Sequence, residues 1–108
     1  MQNLEEIKKR FMKNDLAVQL GCIASNLARV ESFSKLPNNR RVIEDLIEES
    51  KFFIEWVTPE VNAKIQPELV EAQIKLALWQ QLRNRKEVSK DAGKLASKIL
   101  KLSGLLKS

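Results

Sequence analysis

From Leu16 onward, apolar residues recur at alternating steps of four and three: Leu16, Leu20, Ile23, Leu27 and Val30. This is the seam period of a packed α-helix. Beside the seam run Ala17, Gly21, Ala24 and Ala28, a small-residue ridge along which another helix can approach closely. A shorter helix precedes it, with Leu4, Ile7 and Phe11 on its inner side. Asn3 and Glu6 have capping-box spacing, with Asn in place of Ser or Thr, and Asn14-Asp15 offers the next cap.

The stretch from Ser34 to Asn39 reads as a loop, because Pro37 biases its predecessor away from helix and Asn39 is placed to cap the next one. A third helix is predicted from about Arg40 to Val57, its wide apolar face carrying Val42, Ile43, Leu46, Ile47, Phe53, Ile54 and Val57. Thr58-Pro59 predicts a short helical piece through Lys64. Gln66-Pro67-Glu68 opens a fourth helix, with Leu69, Ala72, Leu76 and Trp79 inward, ending between Arg83 and Lys86. A fifth is predicted from Ser89 to Leu102, with Gly104 as its C-terminal cap. Short linkers make successive helices antiparallel neighbours. The expectation is all-α: a small antiparallel bundle of four to five helices, one domain over residues 1–108.

Composition narrows the chemistry. Three glycines, three prolines and no tyrosine leave few residues for tight turns or strands. With no histidine, the chain lacks an imidazole for proton transfer and the commonest metal ligand. One cysteine, Cys22, makes neither an internal disulfide nor a thiolate metal site, and Gly21, Gly93 and Gly104 stand too far apart for a phosphate loop. The expectation is therefore a non-enzyme without cofactor, metal or small-molecule substrate. No apolar run approaches the roughly 20 residues of a membrane span. Met1 to Glu6 lacks the basic start of a secretory signal, so the expected location is cytoplasmic.

Charge is the one asymmetry. From Arg83 to Ser108 there are eight cations against two anions, a net of +6, whereas the first 82 residues carry eleven cations against twelve anions. At about 100° per residue, Lys86, Lys90, Lys94, Lys98 and Lys101 fall in a sector of roughly 120°. Val88, Ala92, Leu95, Ile99, Leu102 and Leu106 centre on the opposite side. One reading is a helix lying along nucleic acid, with Arg83 and Arg85 extending the patch; lysines act there as point charges without base readout. Others are an acidic protein partner, or a terminal helix that turns its lysines to water and its leucines to the bundle. Membrane attachment is disfavoured, since no aromatic residue anchors the segment.

Three further patterns carry competing readings. Residues 15–31 resemble the helix-turn-helix of bacterial repressors in Ala17, Gly21, Leu27 and Val30. The recognition side would then be mostly Ile23, Ala24, Ser25 and Ala28, with only Asn26 and Arg29 able to reach bases. An unbroken core helix explains the same residues, because the seam runs through Gly21 without a phase shift. The acidic third helix allows i,i+4 pairs at Arg40–Glu44 and Arg41–Asp45, a salt-bridged face rather than a metal site. Phe52, Phe53, Ile54, Trp56 and Val57 point almost all round that helix, and Trp79 with Leu76, Leu78 and Leu82 adds a similar excess. Such surplus is covered either centrally in the bundle or by another chain, making Phe52, Phe53, Trp56 and Trp79 candidate interface residues of a homo-oligomer or protein complex. Cys22, beside the small-residue ridge, is expected to be a buried apolar group.

Three stretches, Ser50–Trp56, Glu71–Trp79 and Leu102–Leu106, resemble small all-helical cyanobacterial proteins of no assigned function. The resemblance implies oligomers of helical bundles in the cytoplasm and transfers no functional residue. The sequence reading is an interaction or regulatory module that self-associates, with a nucleic-acid-binding accessory protein as the alternative.

Overall fold

The first two helices begin where a side chain pairs one of the free N–H groups of the first turn, and the fourth begins with a proline that lacks one. The computed structural model describes residues 3–82 and 85–107, the side chains of 85 and 105–107 excepted. α1 (Leu4–Met12) starts at Asn3, whose Oδ1 accepts from the Glu5 N–H at 2.9 Å. α2 (Leu16–Ser34) starts at Asp15, whose carboxylate accepts from the Val18 N–H at 2.9 Å. Between them, the Gln19 amide reaches back to donate to the Phe11 and Asn14 carbonyls, which ties off the end of α1.

α3 spans Arg40–Val57, as expected, although the Asn39 side chain does not cap it and donates instead to the Pro37 carbonyl at 3.3 Å. Asn38 takes the left-handed conformation (φ 64°) that Asn tolerates better than most residues, and this turns the loop. The helical piece expected through Lys64 stops early. Only Thr58–Glu60 forms a 3₁₀ turn, and Val61 is extended. Val61 and Ile65 are both buried, so packing pulls the chain inward, and Asn62 Oδ1 accepts from the Lys64 and Ile65 N–H groups before α4 (Gln66–Gln81).

α5 runs over Arg85–Lys107, longer at both ends than the expected Ser89–Leu102. Gly104 lies inside it rather than capping it. Tertiary contact overrides the roughly 1 kcal/mol helix penalty of glycine. The Ser103 hydroxyl donates to the Ala17 carbonyl at 2.6 Å and Leu102 is partly buried, which holds that turn on α2.

α3 and α4 run antiparallel, with Gln66 reaching Thr58 and Gln73 reaching Lys51, and α1 is laid against α3. α5 packs along α2, antiparallel, more closely than along α4, its predecessor in sequence. Two serines mark the register: Ser89 donates to the Glu31 carbonyl at one end of the pair and Ser103 to Ala17 at the other. Gly21, Ala24, Gly93 and Ala96 line the close approach, so the small ridge meets a helix of its own chain. One buried cluster joins all five helices, with Leu20, Ile23, Leu27, Val30, Ile54, Leu69, Leu76, Trp79 and Ile99 nearly sealed. Among the described residues no helix is long and apolar enough to cross a membrane.

Candidate functional site

The α4 sequence is apolar on more than one side, and the structure covers only one of them. Leu69, Ala72, Leu76 and Trp79 enter the core, as expected from their spacing. The opposite sector, about 100° wide by helix geometry, holds Ala77, Val70, Gln81, Ile74, Pro67 and Leu78. All six are exposed and none is charged. Val70 is 51%, Ile74 64% and Leu78 54% exposed, one ridge at i, i+4, i+8. The other large exposed apolar residues among those described are spread over α2, the α2–α3 loop, α3 and α5.

The two flanks of this face differ. On one side Gln66, Gln73 and Gln80 recur at seven-residue steps and hold α4 to α3 and the 3₁₀ turn. Gln66 donates to the Thr58 carbonyl at 3.2 Å, Gln73 donates to the Lys51 carbonyl at 3.0 Å, and Lys51 Nζ donates to Gln80 Oε1 at 3.0 Å. This glutamine seam fixes the rotation of α4 and so aims Ile74 outward. Beside it a largely apolar groove of about 430 Å³, with Glu55 in its wall, runs between Thr58, Pro59 and the Val70–Ile74 edge. On the opposite flank stand the ion pair Glu71–Lys75 at 3.6 Å and, further round, Lys98 of α5 on Glu68 at 2.6 Å and Glu71 at 3.8 Å.

The expected interface residues are divided by the fold. Phe53 (7% exposed) and Trp79 (1%) belong to the core of their own chain, which corrects their assignment to an intermolecular surface. Phe53 stacks on Phe11 with centroids 4.1 Å apart, so the apolar surplus of α3 is absorbed largely by α1. Phe52 and Trp56 are half-buried, stacked on each other at 5.8 Å, with Lys8 Nζ 5.7 Å from the Trp56 ring. The sequence reading missed Val70 and Ile74. Their signal was the charge-free outer sector of a helix whose inner side was already accounted for.

The lysine face is likewise reshaped. Lys86, Lys90, Lys94, Lys98 and Lys101 are all exposed on α5. Arg83 lies outside the described residues, as does the side chain of Arg85. Lys98 is committed to the α4 carboxylates: its hydrogen bond with Glu68, foremost among several causes, holds its pKa above the usual ammonium value. Lys86 and Lys90 border a cavity of about 540 Å³ that also contains Lys35 and the acidic Glu31, so this end of α5 has a counter-charge within its own chain.

Neither of the other sequence patterns builds a site. α2 is one unbroken helix through Gly21, and Asn26 is 1% exposed, donating to Glu49 at 3.0 Å and accepting from Arg29. These residues face α3, which corrects the base-reading alternative. Cys22 is half-buried; burial, reinforced by the Glu49 carboxylate, pushes its thiol pKa up and makes it a poor nucleophile. Of the two i,i+4 pairs anticipated on α3, Arg40–Glu44 forms at 3.1 Å. Among the described residues no three acidic or cysteine side chains gather to hold a metal ion. No family model, curated protein or solved structure matches the chain.

Proposed function

We propose that this chain is a non-enzymatic helical interaction module that self-associates through the outer face of α4. The observation that carries the reading is the ridge Val70–Ile74–Leu78, exposed on a sector without charge in a chain that is 31% charged. Exposed apolar side chains contiguous along a helix are the ordinary mark of a surface covered in the working state. The expected contact is mainly apolar, so it persists as salt rises, unlike binding to a polyanion.

Sedimentation velocity on the wild type, Ile74→Glu and Leu100→Glu tests this from about 1 to about 200 µM, a range that brackets a micromolar contact. Wild type and Leu100→Glu should associate alike at about 50 and about 500 mM salt, where screening differs most, and Ile74→Glu should not. A wild-type monomer throughout, or an Ile74→Glu variant that associates normally, overturns the reading.

A second reading, nucleic-acid binding along α5, draws support from the alignment of exposed Lys90, Lys94 and Lys101. Its test is fluorescence anisotropy with labelled duplex and single-stranded DNA and RNA. Affinity falling steeply with salt, and lost in Lys90→Glu/Lys94→Glu/Lys101→Glu at unchanged helicity, would establish it. No binding at low salt would remove it.

A further inference from the structure

We infer that the outer face of α4 seats the same face of a second copy in an antiparallel, two-fold pair with Ile74 beside its symmetry mate. The inference rests on the α4 reading above and adds the orientation and a closed stoichiometry of two.

Charge selects the occupant. A strongly charged partner gains nothing from a sector of Pro67, Val70, Ile74, Ala77, Leu78 and Gln81, whereas an equally apolar helix loses no hydration of charged groups by covering it. The chain's own excess of positive charge is displaced onto α5, so two copies can meet through α4 without bringing uncommitted lysines together on the contact face.

Orientation is set by the flanks. In a parallel pair the Glu71–Lys75 flank of one copy faces the glutamine flank of the other, whose α4 positions carry no charge; the charges on that side, Lys51 at Gln80 and Glu55 in the groove wall, belong to α3. In an antiparallel pair like flanks face each other with direction reversed. Glu71 then comes opposite Lys75 of the second copy, and Lys75 opposite its Glu71, so that two ion pairs span the contact. Both groups are exposed, and Lys75 lies only 3.6 Å from Glu71 of its own helix, close enough to be shared. The ridge at i±4 spacing packs against its copy at an angle of about 50°, which places the contact centre at Ile74 and the charged flank within one turn of it. An interface of ordinary size covers about 800 Å² per partner, more than one helix ridge offers, so the walls of the neighbouring groove at Thr58 and Pro59 enter the contact. A self-complementary patch used twice closes at two copies.

The test combines a charge swap with a cross-link on the full chain. Lys75→Glu sets Glu71 against glutamate in both pairs and should weaken dimerisation ~10-fold, while Glu71→Lys/Lys75→Glu should restore it to within ~3-fold of wild type. In a Cys22→Ser background, Ile74→Cys should oxidise to a disulfide dimer and Leu100→Cys should not, because only position 74 lies beside its own copy. Circular dichroism establishes that each variant folds. Failure of the swap to restore association, absence of the Ile74→Cys cross-link, or a mass above two chains overturns the antiparallel pair. If Ile74→Glu still abolishes association in that event, the α4 docking reading stands and only its geometry falls.

Discussion

α2 and α4 are both apolar beyond what one neighbouring helix can cover, and they meet this surplus differently. α2 has α3 on one side and α5 on another, so Leu20, Ile23, Leu27 and Val30 are sealed and its small residues receive α5. α4 has α3 and the inner core on one side, but its opposite side meets no helix of the chain, and Val70, Ile74 and Leu78 remain half or more exposed. The contrast shows that an apolar surplus in a helix is not itself a docking site. It becomes one only where the fold provides no internal cover. Most of the surplus of α2 and α3 is covered by the chain itself, leaving Val18 and Val42 exposed singly, whereas α4 leaves three such residues in one ridge.

Truncations on the two sides of α4 challenge this contrast most directly. Leu76→Ala, at a fully sealed position, should cost about 2–5 kcal/mol in urea unfolding, and Leu27→Ala on α2 a similar amount. Ile74→Ala should stay within about 0.5 kcal/mol of wild type when measured at concentrations too low for association. A comparable loss at Ile74 would mean that the outer face is part of the core. Ser103→Ala should cost about 1 kcal/mol by removing the hydrogen bond to Ala17 that fastens the end of α5. Gly104→Ala should instead stabilise the chain by about 0.5–1 kcal/mol, since a Cβ there meets nothing within 4 Å and the residue is helical. Destabilisation would place Gly104 at a helix cap after all.

The smallest effect concerns the tie between α4 and α5. Lys98 has a raised pKa in the folded chain, so its ion pairs with Glu68 and Glu71 contribute fully below the unfolded ammonium pKa. That contribution is lost as pH rises through the raised value. Wild type should therefore lose a small increment of stability on the alkaline side that Lys98→Met, already lacking the pair, does not lose. Thermal unfolding across the alkaline range reads the difference, and parallel curves for the two proteins would show the tie to be idle.

Much of the fold was legible because helices announce themselves by period. The α2 seam, the inward residues of α4 and the bounds of α3 follow from apolar spacing and turn residues, and the structure keeps them. The ends of elements were less legible. Gly104 looked like a cap until the Ser103–Ala17 bond held the helix onward, and the piece after Pro59 looked helical until burial of Val61 bent it inward. Of the four aromatic candidates for an interface, two are taken up by the fold. Trp79 and Phe53 drew attention as large aromatics, yet large aromatics are what a core most readily absorbs. The residues left outside were the smaller Val70, Ile74 and Leu78.

That the chain is all-α, roughly where its helices lie, that its positive charge gathers on the last of them, and that more apolar surface exists than single-sided helices need can all be read along the chain. Those properties are local or compositional, set by side-chain period and capping chemistry within a few residues. Tertiary structure alone decided which surplus is covered internally. That depends on contacts between residues far apart in the chain, such as Phe11 on Phe53, Ser103 on Ala17 and Gln73 on Lys51. These contacts set the rotation of each helix, and rotation decides whether a given leucine meets the core or water.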